Sequence, residues 1–135
     1  MENQIHRRIL IIDESEPYTY MVLNRLKNYG YDEVHIATNG KDGMAAIELM
    51  RPDVVAIDVS LSDVDSFKLC HDIKSSFHDF IKIVMMVGLA KKYDETPAYA
   101  AGADEYVVKT FDCLPLVAAI KRAMYSINTV NPVHN

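Results

Sequence analysis

Short, continuous apolar runs alternate along this chain with longer stretches of helical period. Arg8-Ile9-Leu10-Ile11-Ile12, Asp53-Val54-Val55-Ala56-Ile57-Asp58 and Ile81-Lys82-Ile83-Val84-Met85-Met86-Val87 are runs of strand length. Such runs read as strands buried on both faces. Glu33-Val34-His35-Ile36-Ala37 and Glu105-Tyr106-Val107-Val108 are shorter strands. Between them lie helical patterns. Ser15 offers an N-cap and Pro17 sits in the first turn of the first helix, where its missing N–H costs nothing. Tyr18, Met21, Val22, Leu26 and Tyr29 follow at helical spacing, and Gly30 is a stop.

The Asn39-Gly40 turn leads into a second helix, Lys41 to Met50, with Met44, Ile47 and Met50 on one side, and Pro52 ends it. Ser66 to Ser75 reads as a third helix through Phe67, Cys70 and Ile73. Lys91 to Ala101 reads as a fourth, with Pro97 inside it and Gly102 closing it. Asp112 can cap a last helix with Pro115 in its first turn and a stripe of Cys113, Val117, Ile120, Met124 and Ile127. Residues 128–135 are a polar tail or the start of a linker after a single domain, 1–127. Strict alternation of strand and helix argues for an α/β fold: a doubly wound parallel sheet with helices on both faces and right-handed crossovers.

In such a sheet, ligands bind outside the carboxyl ends of the strands. Three strands end in candidate chemistry: Asp13-Glu14 after the first, Asp58 at the third, Lys109 after the fifth. Three carboxylates together repel, so they must protonate or hold a cation. Hard oxygen ligands with room for water suit Mg²⁺. A metal, an ammonium and a spare carboxylate are equipment for receiving a phosphoryl group.

Composition narrows the rest. The 135 residues are 50% hydrophobic and 24% charged, with a formal net charge of -5. That balance disfavours direct nucleic-acid binding by this domain. No apolar run approaches the ~18–20 residues that span a bilayer, and the N-terminus has no signal-peptide pattern. No membrane association and a cytoplasmic location are therefore expected. Cys70 and Cys113 form no CxxC and read as core residues.

With Asp13-Glu14, the Ala37-Thr38-Asn39-Gly40 turn, Asp58, Ala101-Gly102-Ala103-Asp104 and Tyr106-Val107-Val108-Lys109-x-Phe111 in this order, the chain resembles the receiver domains of two-component response regulators. Its layout is similar to that of single-domain chemotaxis regulators, over about Arg8 to Ile127. The resemblance implies a flavodoxin-like (βα)5 fold with strand order 2-1-3-4-5. It implies that Asp58 takes a phosphoryl group from a histidine of a sensor kinase or a histidine phosphotransfer protein. It further implies Mg²⁺ held by Asp13, Glu14, Asp58 and the backbone carbonyl of Ser60, with Lys109 on the phosphoryl oxygens. Such a chain is expected to be a phosphoacceptor and not an enzyme. The face around Tyr106 is a candidate homodimer surface.

Four features depart from the family pattern. Val87 stands where a Thr or Ser hydroxyl normally meets the phosphoryl group, leaving the backbone N–H of Gly88 to serve it. Val87 and Tyr106 are the switch positions, and the hydroxyl-to-aromatic relay between them lacks its donor. Ser62 and Ser66 replace a Pro and a Gly in the loop after Asp58. Thr110 replaces a Pro after Lys109, so a trans peptide is expected there. Glu14 stands where Asp is commoner. These departures leave a second reading open, a degenerate receiver that binds partners without phosphorylation. A nucleotide or flavin binder is disfavoured, because Asp13-Glu14 occupies the turn where a glycine-rich loop is needed.

Overall fold

The computed structural model describes residues 7–91 and 94–130. Its strands are β1 (Arg8–Ile12), β2 (Glu33–Ala37), β3 (Val54–Asp58), β4 (Lys82–Val87) and β5 (Glu105–Val108). They form one parallel sheet in the order β2-β1-β3-β4-β5, as expected. The helices are α1 (Glu16–Asn28), α2 (Gly40–Met50), α3 (Ser66–Phe77), α4 (Thr96–Ala100) and α5 (Leu114–Val130).

Alternation along each strand separates two cores. Ile9, Ile11, Val54, Ala56, Val84, Met86 and Val107 pack with Tyr18, Val22 and Leu26 of α1 and the buried stripe of α5. Leu10, Ile12, Val55, Ile57, Ile83, Met85, Val87 and Tyr106 pack with Ile47, Leu69, Cys70, Ile73 and Ala98 on the other face. Met21 and Tyr29, on the expected stripe of α1, are instead exposed. The period-two split follows from strand geometry.

Register brings the strand ends level. Ile12 pairs with Ile57, Asp58 with Met86, and Val87 with Val108. The ladder runs one step past the strands, through Val59 N–H to Met86 O at 2.9 Å and Lys109 N–H to Val87 O at 2.8 Å. Asp13, Asp58 and Lys109 thus leave the sheet along one edge.

Helix ends follow the local signals, with four adjustments. Ser15, Asn39 and Asp65 cap α1, α2 and α3 through side-chain oxygens, and Gly30 leaves α1 at φ +97°. Asp63 is a second cap for α2, accepting from Gly40 N–H at 2.8 Å and Lys41 N–H at 3.0 Å. The helix expected over 91–101 is only Thr96–Ala100, because Pro97 occupies its first turn and cannot sit within a longer helix. Helix α3 continues past Ser75 to Phe77, since no breaker intervenes, and a 3₁₀ turn follows at His78–Phe80. Helix α5 runs beyond Ile127 to Val130; the next helix-breaking residue is Pro132. The rest of the polar tail, 131–135, lies outside the described residues. Among the described residues no helix is long and apolar enough to cross a membrane.

Gly43 shows how tightly α2 meets the sheet. A Cβ there would lie 2.5 Å from Ile12 Cδ1 and 2.9 Å from Ile12 Cγ1, and Ile12 is fully buried. Gly43→Ala gains up to about 1 kcal/mol of helix propensity but costs about 1–3 kcal/mol in overpacking. The expected net result is a lower urea midpoint with an unchanged m value.

Candidate functional site

Asp13 follows β1 and is fully buried. Its Oδ1 accepts from Ser15 N–H at 2.8 Å, closing the turn into α1. Its Oδ2 lies 2.7 Å from Lys109 Nζ. Apart from that ion pair, Oδ2 has no hydrogen bond. Lys109 Nζ also stands 3.7 Å from Asp58 Oδ2 and 4.6 Å from the centre of the Tyr18 ring. The ammonium therefore sits between two carboxylates and over an aromatic face, a favourable place for a cation.

Asp58 is anchored through its backbone as well as its side chain. Its main-chain oxygen accepts from Ser66 Oγ at 2.7 Å, and its Oδ1 accepts from Ser60 N–H at 3.3 Å. Burial raises the Asp58 pKa above the ordinary carboxylate value, and the charge of Asp13 raises it further. Lys109 and the Ser60 N–H oppose that rise only in part.

Glu14 behaves differently from the expectation. Its Oε2 accepts from both Ser62 N–H at 2.7 Å and Ser62 Oγ at 2.5 Å. Those two bonds hold its pKa below the usual value, the hydroxyl contributing more than the backbone. Convergence of three carboxylates is therefore corrected to two, Asp13 and Asp58, with Glu14 turned onto the β3–α3 loop. The reason is reach: the side chain of this exposed glutamate meets two donors on one neighbour. Among the described residues no group of three or more His, Cys, Asp or Glu assembles as a metal-holding set.

The residues present nonetheless fit a hard divalent cation. One lysine faces two buried carboxylates, Asp13 Oδ2 has no partner beyond that lysine, and burial together with the Asp13 charge outweighs what Lys109 offers Asp58. Mg²⁺ commonly takes one or two protein carboxylates and keeps several waters.

The switch positions lie on the other side of the sheet. Val87 and Tyr106 are buried in the core facing α3 and α4, whereas Asp13, Asp58 and Lys109 continue the parity of the strand residues that face α1 and α5. Burial raises the Tyr106 phenol pKa, partly offset by a hydrogen bond with the Asp94 backbone. Gly88 follows β4 at the same edge, with open space where a side chain would stand. No cis peptide bond occurs among the described residues, so Lys109–Thr110 is trans. Thr110 Oγ1 donates to Asp112 Oδ1 at 2.7 Å, and the same oxygen accepts Leu114 N–H at 3.1 Å.

Sequence reasoning missed the site role of Tyr18, which it placed only on a helical stripe. It noted Ser62 and Ser66 as departures without assigning them partners. No local signal marks either pairing, because each partner arrives from a different turn.

A family model described as the response regulator receiver domain matches residues 9–121, and the chain belongs to that family of two-component signalling domains. Among solved structures it is similar to a CheY-like receiver domain protein from Methanospirillum hungatei JF-1, at 26% identity over 93% of this chain and 98% of that one, with a TM-score of 0.81. It is also similar to the chemotaxis response regulator CheY4 of Vibrio cholerae, at 26% identity over 88% and 99% of the two chains, with a TM-score of 0.78. A third relative, a response regulator from Chloroflexus aurantiacus J-10-fl, is 25% identical over 90% and 99%, with a TM-score of 0.80.

Membership corrects one expectation. Receiver domains are phosphoacceptors, whose own carboxylate enters the bond-forming step, so the flat exclusion of enzyme character is withdrawn. What the family match supplies is a signalling receiver fold, with no enzymatic activity shown. The family generally binds Mg²⁺ at its acidic pocket and interacts with histidine kinases or phosphotransfer proteins.

Burial of Asp58 gives a pH dependence with a definite sign. Its folded pKa is raised, so its contribution to stability is full below the unfolded carboxylate pKa and is lost as pH rises through the folded value. Asp58→Asn is expected to raise the urea midpoint at neutral pH without added Mg²⁺. The gain should shrink as pH falls through the raised folded pKa of Asp58 and be gone below the ordinary carboxylate value.

Proposed function

We propose that the domain accepts a phosphoryl group on Asp58 from a phosphohistidine and thereby changes its interactions with partners. The observation that carries this reading is the placement of Lys109 Nζ 2.7 Å from Asp13 Oδ2 and 3.7 Å from Asp58 Oδ2 at the carboxyl edge of the sheet. An Asp58 carboxylate oxygen forms the new P–O bond. The P–N bond to the donor imidazole breaks, and its electron pair stays on the ring nitrogen, which takes up a proton. Lys109, already between Asp13 and Asp58, would pair with the incoming phosphoryl oxygens.

Asp13 and Asp58 would hold Mg²⁺, together with the Ser60 carbonyl and with Glu14 once it is released from Ser62. A bound Mg²⁺ would supply charge neutralisation for the phosphoryl oxygens. The Gly88 N–H would serve the phosphoryl group in place of the missing hydroxyl. The donor is a sensor histidine kinase or a histidine phosphotransfer protein, and the location this carries with it is cytoplasmic. Tyr106 itself is only 8% exposed, so a homodimer through its face would rest on Tyr99 and the Arg122–Glu105 ion pair at 2.9 Å beside it.

One observation favours the second reading, a phosphorylation-independent interaction module. Val87 is buried and offers no donor to a phosphoryl oxygen.

Incubation with acetyl phosphate and Mg²⁺, followed by intact mass, separates the two. The expected result is a gain of one phosphoryl group, absent in Asp58→Asn and abolished by EDTA. Lys109→Met should slow the gain by about 10²-fold, the scale of losing one preorganised donor. No gain in the wild-type protein, or a gain that survives Asp58→Asn, would leave the interaction module as the reading.

A further inference from the structure

Two of the departures from the family pattern meet in one contact. Glu14 carries one methylene more than the commoner Asp, and Ser62 stands where the family places Pro. Both hydrogen bonds of the contact reach a single oxygen, Glu14 Oε2, and both come from Ser62, through its N–H at 2.7 Å and its Oγ at 2.5 Å. A proline there could make neither bond. Hydrogen bonds to an ionised carboxylate are stronger than neutral ones, so Glu14 is held off Asp13 and Asp58 by a specific partner rather than by chance.

The same loop is fastened at two other points. Asp63 accepts from Gly40 N–H and Lys41 N–H at the start of α2, and Ser66 Oγ donates to the Asp58 carbonyl at 2.7 Å. Whatever moves Ser62 therefore acts on a segment that touches both Asp58 and the N-terminus of α2.

We propose that Ser62 is an internal competitor for the cation at Glu14: Mg²⁺ loading exchanges the Ser62 N–H and O–H for the metal shell and frees the β3–α3 loop. The proposal rests on the phosphoacceptor reading of the site. It makes Ser62 a determinant of Mg²⁺ affinity although the residue is not itself a ligand. It also gives the domain a loop that responds to metal, on a path that does not use Val87.

The experiment is a Mg²⁺ titration of the full chain followed by ¹H–¹⁵N amide shifts, with no phosphodonor present. In the wild-type protein the Ser62 amide should move with the same midpoint as the Asp58 and Ser60 amides. Ser62→Ala, which removes one charge-assisted bond, should tighten Mg²⁺ roughly tenfold. Ser62→Pro, which removes both, should tighten it further. Glu14→Gln should weaken binding, and the Ser62→Ala gain should vanish in the Glu14→Gln background. If Ser62→Pro does not fold, the Ser62→Ala and Glu14→Gln pair still decides. Wild-type binding with no gain in Ser62→Ala, or a gain that persists without the Glu14 carboxylate, overturns the competition and leaves the metal site standing. No Mg²⁺ binding in any variant overturns the metal site and the competition together.

Discussion

A carboxylate with no exposed surface has to be neutralised where it lies. Asp13 is such a group, and the Lys109 ammonium 2.7 Å away is its counter-ion. Taking one charge of a buried pair away strands the other at a cost of several kcal/mol. This constraint ties the end of β1 to the end of β5, the two strands that are separated in the sheet by β3 and β4. Lys109 must reach across that span, and the Tyr18 ring, 4.6 Å from its nitrogen, lines the route. Asp58 lies on the same route, 3.7 Å from that nitrogen, but its burial and the Asp13 charge outweigh what the lysine offers.

Most of the fold was legible because its strands are unbroken apolar runs and its connections are short. The sheet order was legible only through the resemblance to receiver domains, whereas the meeting of Asp13, Asp58 and Lys109 follows from one rule: parallel strands in register end on one edge. The misreadings have local causes. Pro97 has to open a helix and cannot sit inside one, so α4 is a short element. Helices α3 and α5 overrun their expected ends because polar residues such as Ser76 and Asn128 do not stop a helix. The direction of Glu14 was not legible, since an exposed side chain goes where its donors are, and its donors belong to a loop after β3. Tyr18 was legible as a buried helix residue and not as the ring beside Lys109, because spacing gives a face and not a neighbour.

The segregation of the two faces bears on how a receiver of this sequence transmits its state. Asp58 and Lys109 continue the strand parity that faces α1 and α5, while Val87 and Tyr106 are packed toward α3 and α4. The link between them is main-chain: Asp58 pairs with Met86, and Val87 O accepts from Lys109 N–H. A change in charge at Asp58 therefore meets hydrocarbon on the far face and peptide groups in between.

Ser62, Ser66 and Thr110 stand where the family uses residues that act through backbone geometry, two prolines and a glycine. In this chain each makes a side-chain hydrogen bond, to Glu14, to the Asp58 carbonyl and to Asp112. A proline limits a turn in the folded and unfolded chain alike, whereas a hydroxyl bond exists only while its partner is in place. The rim of the pocket is thus fastened by latches that can be undone singly, and water competes for those at the exposed positions. The loops around Asp58 therefore keep their shape through what their hydroxyls touch rather than through rigid rings in their own backbone.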